Sequence, residues 1–331
     1  MRAAVITHFG DIGGVTAGEF PDPVAAAGQV LVEIHAAPVN FVDLLVIGGK
    51  YQFLPALPFV PGKGPAGVVV ALGPGVSNPK VGDRVLAMAE QGGYAEKVAV
   101  RSDQCYRLPD RMSFTEAASM SLAYDTSWFA LRDRARLRPG ETVLVLGASG
   151  AVGLASVQLA KAMGARVLGG ISRPERAGSV LEAGADAMVD LSGEDLHQTL
   201  RERVTTVNGG QLADVIIDPL GGDVFAAAIR ALAWRGRLIV VGFAAGHIPT
   251  LKVNYLLLKN IEVSGLQVSD YRKRRPGQVA ECYAELFDLY DQGKIKPLET
   301  TCYSLEEVSR ALVGVRDRST TGRTVISVRN D

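Results

Sequence analysis

The sequence predicts a two-domain α/β protein in which one domain is a doubly wound parallel sheet. Its 331 residues are about twice the length of an average domain, so two cores are expected. A composition of 47% hydrophobic and 21% charged residues is typical of globular proteins, and no stretch is apolar enough to span a bilayer. Between residues 123 and 265, apolar runs alternate with helical segments, which indicates a parallel sheet covered on both faces.

The first region, residues 1–122, is predicted to be mostly β-structure. Short strand-like runs, such as residues 30–34 and 67–70, are separated by clusters of Gly and Pro. Residues 1–8 lack the charged segment, the long apolar core and the cleavage site of a signal peptide, and are predicted instead as the first strand.

The middle region supplies the strands of the parallel sheet. They are predicted at residues 142–146, 166–168, 187–189, 215–217, 238–241 and 261–263. After the first of these, small and apolar residues recur at helical spacing from Val152 to Met163, so one helix face packs on the sheet. Beyond residue 266 we expect one amphipathic helix near 279–292 and a last strand at 323–328, both returning to the first domain.

The charges give no global field that would attract nucleic acid or an anionic membrane. Lys plus Arg and Asp plus Glu each number 35, and the isoelectric point is about 6.9. The charge balance therefore disfavours nucleic acid and an anionic membrane as partners, and it leaves room for a local basic patch.

The cysteines predict a reducing environment. Cys105, Cys282 and Cys302 lie far apart and form no CxxC motif, which excludes a disulfide framework and a cysteine-rich zinc cluster. A cytoplasmic protein is expected.

Residues 147–153 follow the first parallel strand directly and precede a helix, which is the context of a Rossmann phosphate loop. Gly150 would let the backbone approach a pyrophosphate, and Gly153 would allow close packing of helix on strand. The helix N-terminus would offer N–H groups to the phosphates. Because Ala148 replaces the first glycine of the usual GxGxxG, a plain turn is the alternative. The predicted contacts are Ser149, Gly150, Ala151, Val152 and Gly153.

The end of the second parallel strand favours NADPH over NADH. No acid stands there to bind a ribose 2′-hydroxyl, whereas Ser172, Arg173 and Arg176 could bind a 2′-phosphate through charge-assisted hydrogen bonds. The alternative is a solvated helix start in which Glu175 pairs with the arginines.

Several further stretches have the pattern of one enzyme superfamily. They are residues 38–43, 57–62, 66–69, 81–85, 92–96, 147–153 and 293–297, and they cover nearly the whole chain. With them the sequence resembles the medium-chain dehydrogenase/reductases, and among these the zinc-free quinone oxidoreductases, the group that includes ζ-crystallin.

The resemblance implies a GroES-like β-barrel domain built from residues 1–122 and 266–331, with a Rossmann NADP-binding domain at 123–265 inserted in it. It implies an active site in the cleft and a homodimer joined through the sheet edge near 261–265. Nicotinamide-side contacts would fall on Asn40, Asp43 and Thr126. Later cofactor contacts would fall on Gly242, Phe243 and Ala244.

The sequence departs from the family pattern at two places. Many relatives carry an acid two residues after the glycine of the Pro61-Gly62 turn, where this chain has Gly64, so the local polar network is in doubt. Relatives also often have a phosphate-binding Tyr where Leu191 follows Asp190, so that contact is expected to be absent.

No zinc site is predicted. Val42, Asp43 and Lys63 stand where zinc-dependent members of the superfamily place their ligands, and the cysteine lobe of those members is missing. The histidines are scattered without an HExxH motif, and we expect core or surface roles for His8, His35, His197 and His247.

Where no metal polarises the carbonyl, hydride transfer needs either an acceptor that is already activated, such as a quinone, or a proton donor from the protein. The candidate catalytic residues are Tyr51, Asn40 and Asp43. Tyr51 matches the position of the tyrosine proposed as proton donor in related enoyl-thioester reductases. The alternative is a loop aromatic residue that only covers the cleft. Asn40 could orient nicotinamide or substrate, or bond its own turn. Asp43 could orient Tyr51 or a ribose hydroxyl, or cap the following helix.

The leading hypothesis is an NADPH-dependent, zinc-free oxidoreductase that transfers hydride to a quinone or another conjugated carbonyl. One alternative is an enoyl-thioester reductase on the same fold, for which the basic cluster Arg272, Lys273, Arg274 and Arg275 could bind a CoA phosphate instead of forming a solvated face. Another is a non-catalytic NADPH- or RNA-binding protein.

Overall fold

The computed structural model describes residues 1–193, 195–320 and 322–329, which group into two compact units. The first unit comprises Met1–Leu122, Arg272–Tyr283 and Pro297–Asp331, and the second Ala123–Tyr271 and Ala284–Lys296. No helix among the described residues is long and apolar enough to cross a membrane.

The elements follow in chain order. The strands are β1 (Arg2–Ala4), β2 (Ala17–Glu19), β3 (Gln29–Pro38), β4 (Ala66–Leu72), β5 (Arg84–Ala87), β6 (Lys97–Arg101), β7 (Cys105–Arg107), β8 (Thr142–Leu146), β9 (Arg166–Ile171), β10 (Ala187–Asp190), β11 (Ala213–Asp218), β12 (Leu232–Val240), β13 (Glu262–Gly265), β14 (Thr300–Ser304) and β15 (Arg323–Ser327). The helices are α1 (Phe41–Ile47), α2 (Phe114–Met120), α3 (Ala123–Trp128), α4 (Ala151–Ala162), α5 (Ala177–Glu182), α6 (Leu196–Val207), α7 (Gly222–Ala231), α8 (Asn254–Lys259), α9 (Val268–Arg274), α10 (Pro276–Asp291) and α11 (Val308–Arg316). A π-helical turn, Phe129–Arg134, continues α3.

The first unit is built on a mixed sheet centred on β3. Strand β3 pairs antiparallel with β4, β6 and β15, and the sheet order is β14-β15-β3-β4-β5-β7 with β6 against β3. Its residues Val30, Val32 and Ile34 are buried at every second position, as expected for a strand with one face in the core. Because β15 pairs with β3, the last strand belongs to the same sheet as the first region.

The second unit contains a six-stranded parallel sheet in the order β10-β9-β8-β11-β12-β13. All residues of β8 are buried, as its continuous apolar sequence predicts. In this strand order the carboxyl ends of β8, β9, β11 and β12 lie along one edge, where doubly wound folds bind ligands. The predicted α/β class with a doubly wound parallel sheet is confirmed.

The grouping of the C-terminal region differs from the division expected from the sequence. Residues 266–271 and 284–296 group with the second unit and 272–283 with the first, so one boundary falls inside α9 and another inside α10. Polar contacts within that unit explain the difference. Glu285 accepts a hydrogen bond from Trp128 Nε1 at 2.8 Å, and the carbonyl of Lys296 accepts one from Tyr124 Oη at 2.6 Å.

Candidate functional site

Asn40 and Asp43 lie in a buried polar network at the start of α1 in the first unit. The Oδ2 of Asp43 accepts hydrogen bonds from the backbone N–H of Asn40 at 2.9 Å and from Tyr94 Oη at 2.7 Å. The Asn40 Nδ2 donates to the Asp43 Oδ2 at 3.2 Å and to the carbonyl of Pro38 at 3.3 Å, while its Oδ1 accepts from Arg323 at 2.6 Å. The side chain of Asn40 is thus engaged at both ends inside its own unit.

Burial dominates the electrostatics of this network. It raises the pKa of Asp43 in spite of the hydrogen bonds that the carboxylate accepts. Burial and the neighbouring Asp43 raise the pKa of the Tyr94 phenol well above its ordinary value. Because its carboxylate accepts from the backbone N–H of Asn40, Asp43 caps the start of α1, which is one of the two roles that the sequence left open. Its hydrogen bonds go to Asn40 and Tyr94 and not to Tyr51, and its predicted role toward a ribose stays a prediction.

Tyr51 lies in a loop beside aromatic and cationic side chains of the first unit. Its ring meets that of Phe53 edge-on, with 6.3 Å between centroids, and the Lys63 Nζ lies 5.9 Å from the Tyr51 centroid. Lys273 stands over the Phe53 ring at 5.2 Å. Cations near electron-rich rings are favourable. Tyr51 is half-buried, which suits a group that has to meet a ligand.

Near the Pro61-Gly62 turn, where relatives use an acidic residue, the polar network of this chain is formed by Lys63, Glu90 and Arg272. Gly64 has φ +64°, and a Cβ there would lie 2.0 Å from the Ser121 Oγ, so an acidic side chain has no room at this position. Lys63 instead points its Nζ at Glu90, 2.7 Å from Oε2 and 2.8 Å from the carbonyl oxygen. Arg272 donates to the other carboxylate oxygen of Glu90 at 2.9 Å.

This arrangement changes how the basic cluster is understood. Arg272 is only 3% exposed, so it is a buried partner of Glu90, whereas Lys273, Arg274 and Arg275 are exposed. Although burial opposes it, the charges of Arg272 and Lys63 lower the pKa of Glu90 to about 2. Glu90 is therefore ionised at neutral pH and holds both cations in place.

The phosphate loop of the second unit has the close packing that its glycines predict. A Cβ at Gly153 would lie 2.3 Å from the carbonyl oxygen of Gly147, so only glycine fits. Ala148 is buried and donates its N–H to the carbonyl of Gly170 on β9 at 3.0 Å. Gly150 is the last residue before α4, and the first N–H groups of that helix have no carbonyl in the helix to bond. The loop suits the phosphates of a dinucleotide.

The arginines after β9 are available to a ligand. Ser172 and Arg173 are exposed and Arg176 is half-exposed. Across the described ranges, neither guanidinium forms an ion pair, including with Glu175. Leu191 is buried in the hydrophobic core of the unit.

The remaining predicted cofactor residues also lie in the second unit. Thr126 is in α3, where the neighbouring Ser127 Oγ donates to the carbonyl of Val152 in α4 at 3.1 Å. This bond places α3 beside the phosphate-loop helix. Gly242, Phe243 and Ala244 follow β12 at the carboxyl edge of the sheet.

The sequence did not predict the polar contacts of Lys63, Glu90, Tyr94 and Arg323. Tyr94 stands inside one of the stretches that carried the family resemblance, but nothing in its spacing to Asp43 shows that the two meet. In the described part of the chain, no group of three or more His, Cys, Asp or Glu side chains could hold a metal ion.

Comparisons with known proteins agree on one family. Family models match at residues 26–110, an alcohol dehydrogenase GroES-like domain, and at 151–286, a zinc-binding dehydrogenase domain. A quinone oxidoreductase-like protein 2 homolog of Nematostella vectensis is 38% identical over 95% of this chain and 86% of its own length. The predicted GroES-like component is therefore confirmed.

Solved structures extend this likeness to three dimensions. A mycobacterial quinone oxidoreductase superposes with a TM-score of 0.90 at 31% identity, covering 99% of both chains. The Escherichia coli quinone oxidoreductase, solved in complex with NADPH, has a TM-score of 0.90 at 29% identity and covers 99% of this chain and 100% of its own.

Proposed function

The chain belongs to the zinc-free quinone oxidoreductase-like proteins of the medium-chain dehydrogenase/reductase superfamily, and from that premise we propose that it transfers hydride from NADPH to a quinone or another conjugated carbonyl. Membership makes the protein an oxidoreductase. The quinone as acceptor and NADPH as donor are the parts that we propose.

Arg173 and Arg176 carry the proposal for the cofactor. They follow β9 at the carboxyl edge of the parallel sheet, and neither is neutralised by a carboxylate of the described chain. Two such guanidinium groups suit a 2′-phosphate, with Ser172 as a further donor. The loop at 149–153 would hold the pyrophosphate, and the NADPH complex of the Escherichia coli relative supports this assignment.

Bound NADPH would supply the hydride, which leaves binding, orientation and proton delivery to the protein. A quinone that gains a hydride can take its proton from water. An enone that gains a hydride at its β carbon needs a proton at its α carbon, and we assign that proton to the Tyr51 hydroxyl. The Lys63 ammonium, 5.9 Å from the ring centroid, would favour the phenolate that remains.

An enoyl-thioester reductase is the second candidate. The observation that favours it is the exposed pairing of Lys273 with Phe53, with Arg274 and Arg275 beside it in the chain. A cationic and aromatic surface of this kind suits an acyl substrate that carries phosphate groups.

The deciding experiment is the initial rate of NADPH oxidation by purified, chelator-treated protein, with an ortho-quinone and a short enoyl-CoA offered separately. Faster quinone turnover supports the leading proposal, and faster enoyl-CoA turnover supports the second. NADPH binding without turnover of either would contradict both and favour a non-catalytic role.

We also propose a homodimer that works in a reducing compartment such as the cytoplasm. Strand β13 lies at the end of the described parallel sheet with β12 as its neighbour, so its outer edge can pair with a second copy. Cys105 and Cys302 carry free thiols. A monomeric mass in sedimentation would contradict the dimer.

A further inference from the structure

Asp218, the last residue of β11, organises a tight turn in the second unit. Its Oδ1 accepts hydrogen bonds from the backbone N–H groups of Leu220 and Gly221, both at 2.9 Å, and Gly221 has the left-handed φ of +66°. The side chain is completely buried, and its Oδ2 has no hydrogen-bond partner within the described residues. Burying a carboxylate costs free energy, so a buried aspartate with one unbonded oxygen indicates a structural or functional role.

The same turn holds the loop that follows β12. The carbonyl oxygen of Asp218 accepts from the N–H of Val241 at 2.8 Å, and that of Pro219 accepts from the N–H of Ala244 at 3.1 Å. The carbonyl of Leu220 accepts from the N–H of Ala245 at 2.9 Å. The backbone of the predicted cofactor contacts Gly242, Phe243 and Ala244 therefore has its position set by the Asp218 turn.

The turn also contacts the phosphate loop. A Cβ added to Gly147 would lie 2.9 Å from Cδ2 of Leu220, and one added to Gly221 would lie 2.8 Å from Cδ1 of Phe243. The turn therefore packs on the phosphate loop through the Leu220 side chain, whereas backbone hydrogen bonds join it to the loop at 242–244.

The strand order says which half of a dinucleotide the turn would serve. Strand β8 stands between β9, whose end carries Arg173, and β11, whose end carries Asp218. With the 2′-phosphate at the end of β9 and the pyrophosphate at the end of β8, the nicotinamide half reaches the ends of β11 and β12.

We infer that Asp218 is a positioning residue for the nicotinamide half of the cofactor, acting through the loop at 242–244. This inference rests on the proposed function. It separates Asp218 from Arg173 and Arg176, which serve the adenosine half.

Two ligands test the inference, NADPH and its fragment 2′,5′-ADP, with affinities measured by calorimetry on the full chain. Replacing Asp218→Ala removes the acceptor of two backbone N–H groups, and we expect about tenfold weaker NADPH binding with 2′,5′-ADP affinity changed less than about twofold. Asp218→Asn keeps an acceptor oxygen and should restore most of the NADPH affinity. If the alanine variant fails to fold, Asp218→Glu, whose carboxylate sits one methylene further out, should give the same selective loss.

The matched control is Asp214→Ala, at the opposite end of β11. Its Oδ2 accepts from the N–H of Thr142 at 2.8 Å, so the variant also loses a carboxylate bond to backbone, but far from the carboxyl edge. It should lower the thermal midpoint and leave the ratio of the two affinities unchanged. Equal weakening of both ligands by the Asp218 variants, or of neither, would overturn the inference. Failure of the wild-type protein to bind either ligand would overturn the proposed function instead.

Discussion

The hydroxyl of Tyr94 lies 2.7 Å from the Oδ2 of Asp43, and both side chains are buried. The tyrosine comes from the loop before β6 and the aspartate from α1. Their bond anchors the first turn of α1, together with the contact of Asn40 and Arg323. Asn40, Asp43, Tyr94 and Arg323 all belong to the first unit, so their hydrogen bonds stabilise that unit.

Replacing Tyr94→Phe should therefore lower the free energy of unfolding of the protein. The variant leaves a buried carboxylate with one hydrogen bond fewer, a loss of about 1.5 to 3 kcal/mol in the free energy of unfolding. Urea titration followed by circular dichroism measures it. Tyr303→Phe is the control, because the Tyr303 hydroxyl has no hydrogen-bond partner among the described residues. Equal stability of the two variants would contradict the prediction.

Replacing both Arg173→Ala and Arg176→Ala should raise KM for NADPH about tenfold or more, because two charge-assisted contacts to the 2′-phosphate are lost. KM for NADH should hardly change. Steady-state kinetics with both cofactors measures the difference, and Arg201→Ala, an exposed arginine on α6, is the control for a general change of charge. Equal effects on both cofactors would remove the arginines from the 2′-phosphate site.

Replacing Tyr51→Phe should lower enone turnover about 100-fold and leave quinone turnover nearly unchanged, because only the enone needs a proton from the protein. The ring remains, so its contacts with Phe53 and Lys63 survive. Parallel rate measurements with the two acceptors check this. Unchanged enone turnover would assign Tyr51 a covering role only.

Replacing Glu90→Gln should change how stability depends on pH. The folded-state pKa of Glu90, about 2, lies below its ordinary value of 4.5, so ionised Glu90 stabilises the fold above pH 4.5 and loses that contribution as the pH falls toward 2. The difference in unfolding free energy between wild type and variant should accordingly be largest at neutral pH and shrink through that window.

Urea midpoints between pH 2 and 7 give this difference, since the other carboxyl groups are common to both proteins. Glu281→Gln, an exposed position on α10, is the control. A constant difference across the whole range would show that Glu90 holds Lys63 and Arg272 by shape and not by charge.

Local features of the site could be predicted from sequence, and long-range ones could not. The phosphate loop is contained in one strand, one turn and one helix, so Gly150 and Gly153 are recognisable by spacing alone. The partners of Asp43 are Asn40, three residues away, and Tyr94, which only the folding of the sheet brings near.

Contacts between residues distant in the sequence also determine the burial of the basic cluster and the grouping of the C-terminal helices. The run around Arg272 has the sequence of a solvated face, and its burial depends on Glu90, far away in the chain. The grouping of the C-terminal part of α10 with the second unit goes together with contacts such as Glu285 to Trp128, 157 residues apart in the chain, which no property of the helix itself predicts.

The pairing of β15 with β3 has a consequence for the order of folding during synthesis. Strand β3 is made early, but its neighbour β15 is translated only after every strand of the second unit's parallel sheet. All strands of the parallel sheet emerge in between, so the second unit can fold while the sheet of the first still has an open edge. We expect chaperone binding to concentrate on β3 in nascent chains that lack β15, and deletion of Arg323–Ser327 to damage a sheet whose other strands precede β15 in the chain.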